Sequence, residues 1–231
     1  MRNTCGVFLI YGGEICDARY SKSCGGRSEL FESAWEDVSV PYLATVSDAA
    51  VEHPLISSEE AAASWVHSSP EAYCNTNDGK ILRQVLPSFD QETTDFYRWT
   101  VTYAQEELSA LLHKRSGIDF GQIRRLEPLR RGPSGRIVRL RIVGSRRTVV
   151  VGKELEIRRW LSPSHLYSSA FVVRTEEGTD GIPARFILHG AGWGHGVGFC
   201  QIGAAVMAAK GFQAETIVKH YFRGAELKKF Y

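Results

Sequence analysis

The stretch HGAGWGHGVGFCQIGA, residues 189–204, restricts this chain more than any other part of it. Five glycines alternate through it: Gly190, Gly192, Gly194, Gly196 and Gly198. The apolar run Phe186-Ile-Leu precedes them and Ile202-Gly-Ala-Ala-Val-Met follows, so the order reads strand, loop, helix. Alternate glycines leave one face of the backbone bare, and another group can approach it closely. If the loop is extended, Trp193 and His195 project together from the opposite face. An indole beside an imidazole suits a sugar. The ring covers the apolar face of a pyranose, and the imidazole hydrogen-bonds its hydroxyls or N-acetyl group.

Spacing excludes the common nucleotide loops. A dinucleotide fingerprint requires glycine at i, i+2 and i+5, and positions 195, 197, 199 and 201 are His, Val, Phe and Gln. A phosphate loop requires Lys after its last glycine, but Ala204 and Ala205 follow Gly203. His189, His195 and Cys200 have neither a carboxylate nor a close second histidine with them, so no metal ligands are assigned, and no cofactor is expected.

The remaining segments mix strand and helix without β-α-β alternation. "CGVFLIYGGEICDARYS" reads as a hairpin about Gly12-Gly13, followed by a Cys24-Gly25-Gly26 turn. A short segment at Phe31 to Trp35 and a strand at Tyr42 to Val46 come next. Ser57 with Glu60 has the form of a capping box for a helix from Glu59 to His67. Residues 70–91, rich in Asn, Ser, Asp and Pro, read as a long loop. "YRWTVTYA" alternates as a strand, and "QEELSALLHKRSG" places Leu108, Leu111 and Leu112 on one helical face with Gly117 as its cap. "GQIRRLEPLRR" and "RIVRLRIVG" flank the turn Gly132-Pro-Ser-Gly135, with "RRTVVVG" continuing the sheet. "KELEIRRWL" is a helix, "LYSSAFVV" and "ARFILHG" are strands, and the tail from Gln201 to Phe222 is helical with a break at Gly211. The pattern predicts an α+β fold with mixed, largely antiparallel sheets and flanking helices. It divides loosely into one lobe of residues 1–92 with 181–231, and an Arg-rich, insertion-like lobe of residues 93–180.

Composition narrows the partners. The chain has 231 residues, 43% of them hydrophobic, which supports a substantial core. No run reaches the roughly 18 apolar residues of a membrane span, and "MRNTCGVFLIYGG" reads as a strand rather than a signal peptide. Five scattered cysteines (Cys5, Cys16, Cys24, Cys74, Cys200) include no C-x-x-C pair and do not make a disulfide scaffold. The net charge of +2 conceals an asymmetry: residues 124–159 hold twelve Lys and Arg against three Glu, a balance of +9 that leaves −7 on the rest. The plain reading is a solvated face. Aromatics are sparse in that section, so nucleic acid is not an expected partner.

The two ends of the chain carry a resemblance. "GWGHGVGFCQIGA…MAAKGF…IVKHYFRGAEL" and "TCGVFLIYGGEICDARYSKSCGGRSE…AWEDVSVPYLATVSD" resemble the stage II sporulation protein D / amidase-enhancer LytB family. The resemblance implies work on peptidoglycan in the cell envelope. Some members cleave peptide-stripped glycan strands as lytic transglycosylases, and others stimulate a wall amidase. It implies a glycan site including Tyr20, Ser21, Ser23, Glu29, Trp193, His195 and Gln201. Cleavage needs one protonated carboxyl group that donates to the glycosidic oxygen while the 6-hydroxyl of N-acetylmuramic acid closes on the anomeric carbon. The family's acid is a Glu in a Glu-Met-Pro stretch, and no such stretch occurs in this sequence, whose methionines are Met1 and Met207. No catalytic residue is therefore assigned. Glu29 is the remaining carboxylate near the site, expected at the surface by a strand end. The alternative to an enzyme is a glycan-binding module.

Overall fold

A computed structural model describes residues 4–90 and 93–231. The expected hairpin is β1 (Val7–Tyr11) with β2 (Glu14–Ile15), antiparallel with Ile10 opposite Ile15. β3 (Tyr20–Ser21) and α1 (Phe31–Ala34) follow. The strand predicted at Tyr42 to Val46 is instead a single 3-10 turn at Pro41–Leu43 leading into extended chain. Pro41 fixes φ for a first helical turn and has no N–H to give a ladder. Lone pairings hold the segment, such as Ser28 N–H to the Val46 carbonyl at 2.9 Å.

α2 (Glu59–His67) spans the expected residues, but its cap is Ser58, whose hydroxyl accepts the Ala61 N–H at 3.1 Å. The long loop predicted for residues 70–91 contains α3 (Gly79–Val85), capped by Asp78 accepting from the Lys80 N–H at 2.8 Å. Its opening glycine and the Asn-rich approach disguised it, and Gln91 lies outside the described residues. From there come β4 (Arg98–Ala104), α4 (Gln105–Ser116), β5 (Ile123–Arg131), β6 (Ile137–Gly144), β7 (Thr148–Val151) and α5 (Glu154–Trp160). β8 (Phe171–Glu176) starts later than expected, because the Ser168 hydroxyl accepts the Ala170 N–H at 3.0 Å and turns the chain first. β9 (Arg185–Ala191), α6 (Gln201–Ala209) and α7 (Ala214–Tyr221) complete the expected elements, with the break at Gly211, and a short strand not foreseen, β10 (Phe199–Cys200), lies between β9 and α6. The final strand, β11 (Glu226–Lys229), was not foreseen.

The fold is α+β. Three sheets are antiparallel, ordered β11-β1-β2, β4-β9-β8 and β5-β6-β7, and β10 pairs with β3 in a short parallel ribbon. Two cores result. One joins the sheets β4-β9-β8 and β5-β6-β7 to α4 and α5 through Trp99, Leu108, Leu112, Ile123, Ile157 and Phe186. The other gathers Leu43, Phe96, Val197, Met207 and Tyr221 with Cys16, Cys24, Cys74 and Cys200. Strand β9, assigned by the sequence boundary to the first lobe, is the central strand of its sheet, and it runs straight from one core into the glycine loop. Among the described residues no helix is long and apolar enough to cross a membrane.

Leu112 is wholly buried where α4 meets that first core. Leu112→Ala is expected to cost about 2–5 kcal/mol of unfolding free energy, read as a lower urea midpoint with an unchanged slope. A change below 1 kcal/mol would show that the α4 contact is dispensable.

Candidate functional site

The glycine loop is not extended. Gly192, Gly194, Gly196 and Gly198 have φ of 75°, 100°, 76° and 70°, a conformation in which L side chains are strained. Each alternate residue therefore turns, and Trp193 and His195 do not share a face. Close approach to the bare backbone does occur, but by the protein's own groups. At Gly196 a methyl would lie 2.4 Å from the guanidinium carbon of Arg136.

Arg136 comes from the Arg-rich section and is fully buried. Its guanidinium donates to the Gly194 carbonyl at 3.1 and 3.2 Å, to the Cys24 carbonyl at 3.1 Å and to the Ser134 hydroxyl at 2.9 Å. Ser134 in turn donates to Glu29 at 2.6 Å. The other Glu29 oxygen accepts from the Leu30 N–H at 2.8 Å and the Ser33 hydroxyl at 3.0 Å. The expectation of Glu29 at the surface is thus corrected: it is 0% exposed. Burial pushes its pKa up, while Ser134, the Leu30 amide, Arg136 and Ser33 pull it back. Gly132, seen in the sequence as a turn residue, is where this carboxylate packs, since a methyl there would meet it at 2.3 Å. Three of the Arg-rich section's cations are internal, namely Arg131, Arg136 and Arg158. Arg131 forks onto Glu59 at 2.5 and 2.8 Å and ties α2 to β5. Lys153 is half-buried and donates to the Glu32 and Trp35 carbonyls, and the other cations of the section are exposed.

The other predicted site residues separate into four places. Ser21 and Ser23 are buried, and neither hydroxyl has a hydrogen-bond partner among the described residues. Ser23 instead exchanges backbone hydrogen bonds with Trp193 at 2.8 and 3.1 Å. Tyr20 is 61% exposed. With Gln201, the first residue of α6, it lines an apolar trough of about 400 Å³ that also includes Phe199, Val218 and Phe222. Trp193 is half-buried. Phe96 stacks on its ring at 4.9 Å, and the Lys22 ammonium lies 4.2 Å from its centroid. Its exposed part enters a separate cavity of about 410 Å³ with Tyr167, Thr102, Glu107, Ser164 and His165. Tyr167 meets it edge-on at 4.9 Å and is itself backed by Trp99, stacked at 5.4 Å. The result is an aromatic wall with a hydroxyl, imidazole and carboxylate rim. Tyr167 and Phe96 were not picked out in the sequence, because nothing local distinguishes a wall aromatic from a core one.

His195 packs edge-on against Trp35 at 4.7 Å, and its Nδ1 accepts the Val197 N–H at 3.0 Å. Burial, with Arg136 and Arg158 nearby, depresses its pKa to about 3, so the ring is neutral at ordinary pH. His189 is apart from it. It contacts Thr100 at 3.1 Å and His67 at 5.2 Å, so the trio of His189, His195 and Cys200 considered in the sequence does not assemble.

Cys200 has other company. Its thiol, Cys24, Cys74 and Asp48 offer ligand atoms all within 4.8 Å of one another, and all four residues are buried. Burial pushes every thiol up, but hydrogen bonds from Cys24 and Cys74 bring Cys200 down to about 6, while Cys74 rises to about 12.

A family model described as "Domain of unknown function (DUF8618)" matches residues 29–198. The "Amidase enhancer" of Bacillus subtilis (strain 168) is 22% identical over 246 aligned residues, covering 100% of this chain and 32% of that protein. The "Stage II sporulation protein D" of Bacillus amyloliquefaciens is 36% identical over 81 residues, covering 35% of this chain and 22% of that protein. The chain spans about a third or less of either relative's length. The likeness to the sporulation protein D / amidase-enhancer family, read from the two end motifs, is borne out by both.

The neutral, half-buried His195 makes stability depend on acid. Its folded pKa lies below the unfolded value of 6.5, so the unfolded chain binds the proton first. The associated stability is complete above pH 6.5 and is lost progressively as pH falls toward 3. His195→Gln is expected to flatten this part of the stability profile in urea titrations between those limits. An unchanged acid slope in the variant would mean that another group carries it.

Proposed function

We propose that this chain, which belongs to the family described as "Domain of unknown function (DUF8618)", binds glycan strands of the bacterial cell wall. The observation that carries this reading is the cavity walled by Trp193 and Tyr167 and rimmed by Thr102, Ser164, His165 and Glu107. Aromatic faces and edges take the apolar side of a pyranose, and the rim supplies donors and acceptors for its hydroxyl and acetamido groups. The names of the two relatives, an amidase enhancer and a sporulation protein, support the cell wall as the setting and the envelope as the place of action.

Binding is favoured over cleavage by the fate of Glu29. A general acid must reach the leaving oxygen within hydrogen-bond distance. Glu29 has both oxygens engaged by Ser134, Leu30 and Ser33 and no exposed surface. Glu107 is exposed and lies at the rim of the cavity. A second reading, docking to a wall amidase, draws on the first relative's name and on the exposed apolar trough beside Tyr20 and Gln201.

Sedimentation with peptide-stripped peptidoglycan is expected to retain the chain. Tyr167→Ala and His165→Ala should each weaken retention, Tyr167→Ala by roughly two- to tenfold, the scale of one aromatic contact. Trp193→Ala should do the same, with thermal melts to confirm folding. If all three bind like the parent, the cavity is not the glycan surface. Mass spectrometry of the digest should show no 1,6-anhydromuramyl ends, and their appearance would restore the lytic reading.

A further inference from the structure

Three of the five cysteines converge on one carboxylate from segments that the chain keeps far apart. We infer that Cys24, Cys74, Cys200 and Asp48 form a closed, four-coordinate site for zinc or a similarly soft divalent transition metal. This goes beyond the glycan reading and does not rest on it.

Spacing is the first support. Tetrahedral thiolate ligation at about 2.3 Å puts neighbouring sulfurs about 3.8 Å apart. The Cys24 and Cys74 sulfurs are 3.8 Å apart, and the whole set falls within 4.8 Å. A disulfide would need about 2.05 Å.

Charge is the second. Asp48 is 0% exposed, and among the described residues no Lys, Arg or His forms an ion pair with it. Its neighbours are thiols and neutral donors, which leave a buried carboxylate uncompensated. A divalent ion supplies that compensation, and its binding displaces the thiol protons to solvent. Sulfur donors select zinc and its soft relatives over magnesium or calcium.

The surroundings hold the ligands in place. The Tyr221 hydroxyl donates to one Asp48 oxygen at 2.5 Å, and the Cys74 N–H donates to the other at 2.8 Å. The Cys24 N–H points at the Cys200 sulfur at 3.3 Å. Such bonds from behind fix a ligand's orientation. α6 contributes by what it lacks: at Gly203 a methyl would sit 2.4 Å from Asp48 Oδ1 and 2.5 Å from the Tyr221 hydroxyl. Four protein ligands and full burial leave no open position, so the ion is structural. It pins the Cys24 turn to the end of the glycine loop. No short spacing motif announces it, because each ligand lies on a different segment.

The full chain, purified under reducing conditions without chelator, is expected to carry one zinc ion by plasma mass spectrometry. After stripping, cobalt(II) should give the intense visible bands of tetrahedral thiolate ligation. Cys74→Ser and Asp48→Ala should lose both signals, whereas Cys5→Ser and Cys16→Ser keep them. In case the first pair misfolds, mercurial titration of the unaltered protein should release zinc in step with the capping of three thiols. Sub-stoichiometric zinc with no cobalt spectrum overturns the proposal. So does a Cys24–Cys74 disulfide found by peptide mapping, or a cobalt spectrum that survives Cys74→Ser.

Discussion

The guanidinium of Arg136 organises this molecule. It is a permanent charge with no exposed surface, and its donors are spent on the carbonyls of Cys24 and Gly194 and on Ser134. A buried cation without such acceptors would cost several kcal/mol. The turn at Cys24, the glycine loop and the 132–135 turn must therefore all close around it. Glu29 contributes the opposite charge nearby and completes the network through Ser134. The arrangement links the two large cores through hydrogen bonds rather than through apolar contact alone.

This changes the meaning of the glycine-rich segment. Its bare backbone is occupied from within, and only Trp193 continues outward to meet Tyr167 at the open cavity. The loop acts as a clasp that holds an aromatic at the surface in a fixed pose. Phe96 behind the indole and Trp99 behind Tyr167 stiffen the wall. Pre-set aromatics reduce the ordering cost of holding a sugar ring.

Local patterns in the sequence were readable where one element decides its own form. Leu108, Leu111 and Leu112 face one way on α4, and Gly117 ends it with φ of 74°. Pro41 and Asp78 decided two elements against the broader pattern, each by its backbone chemistry. The site was less legible. Glycine spacing revealed that something comes close to residues 190–198, but what comes close differs at each glycine: Trp99 at Gly190, the Cys24 backbone at Gly192, Ser21 at Gly194, Arg136 at Gly196 and the Arg19 carbonyl at Gly198. Glu29 looked like a surface carboxylate because its partners Ser134 and Gly132 lie about a hundred residues onward. Tertiary pairing of this kind leaves no trace in local periodicity.

The parallel ribbon of β3 with β10 has a consequence for synthesis. Tyr20 pairs with Phe199 and Ser21 with Cys200, while Ser23 and Glu29 bond to Trp193 and Gly196. All of these partners are synthesised long after residues 20–29 have left the ribosome. The N-terminal hairpin can form early, yet the Cys24 turn must wait with its thiol and its unpaired amides open to solvent. A nascent chain halted before the glycine loop would thus display an unsealed cysteine-bearing edge.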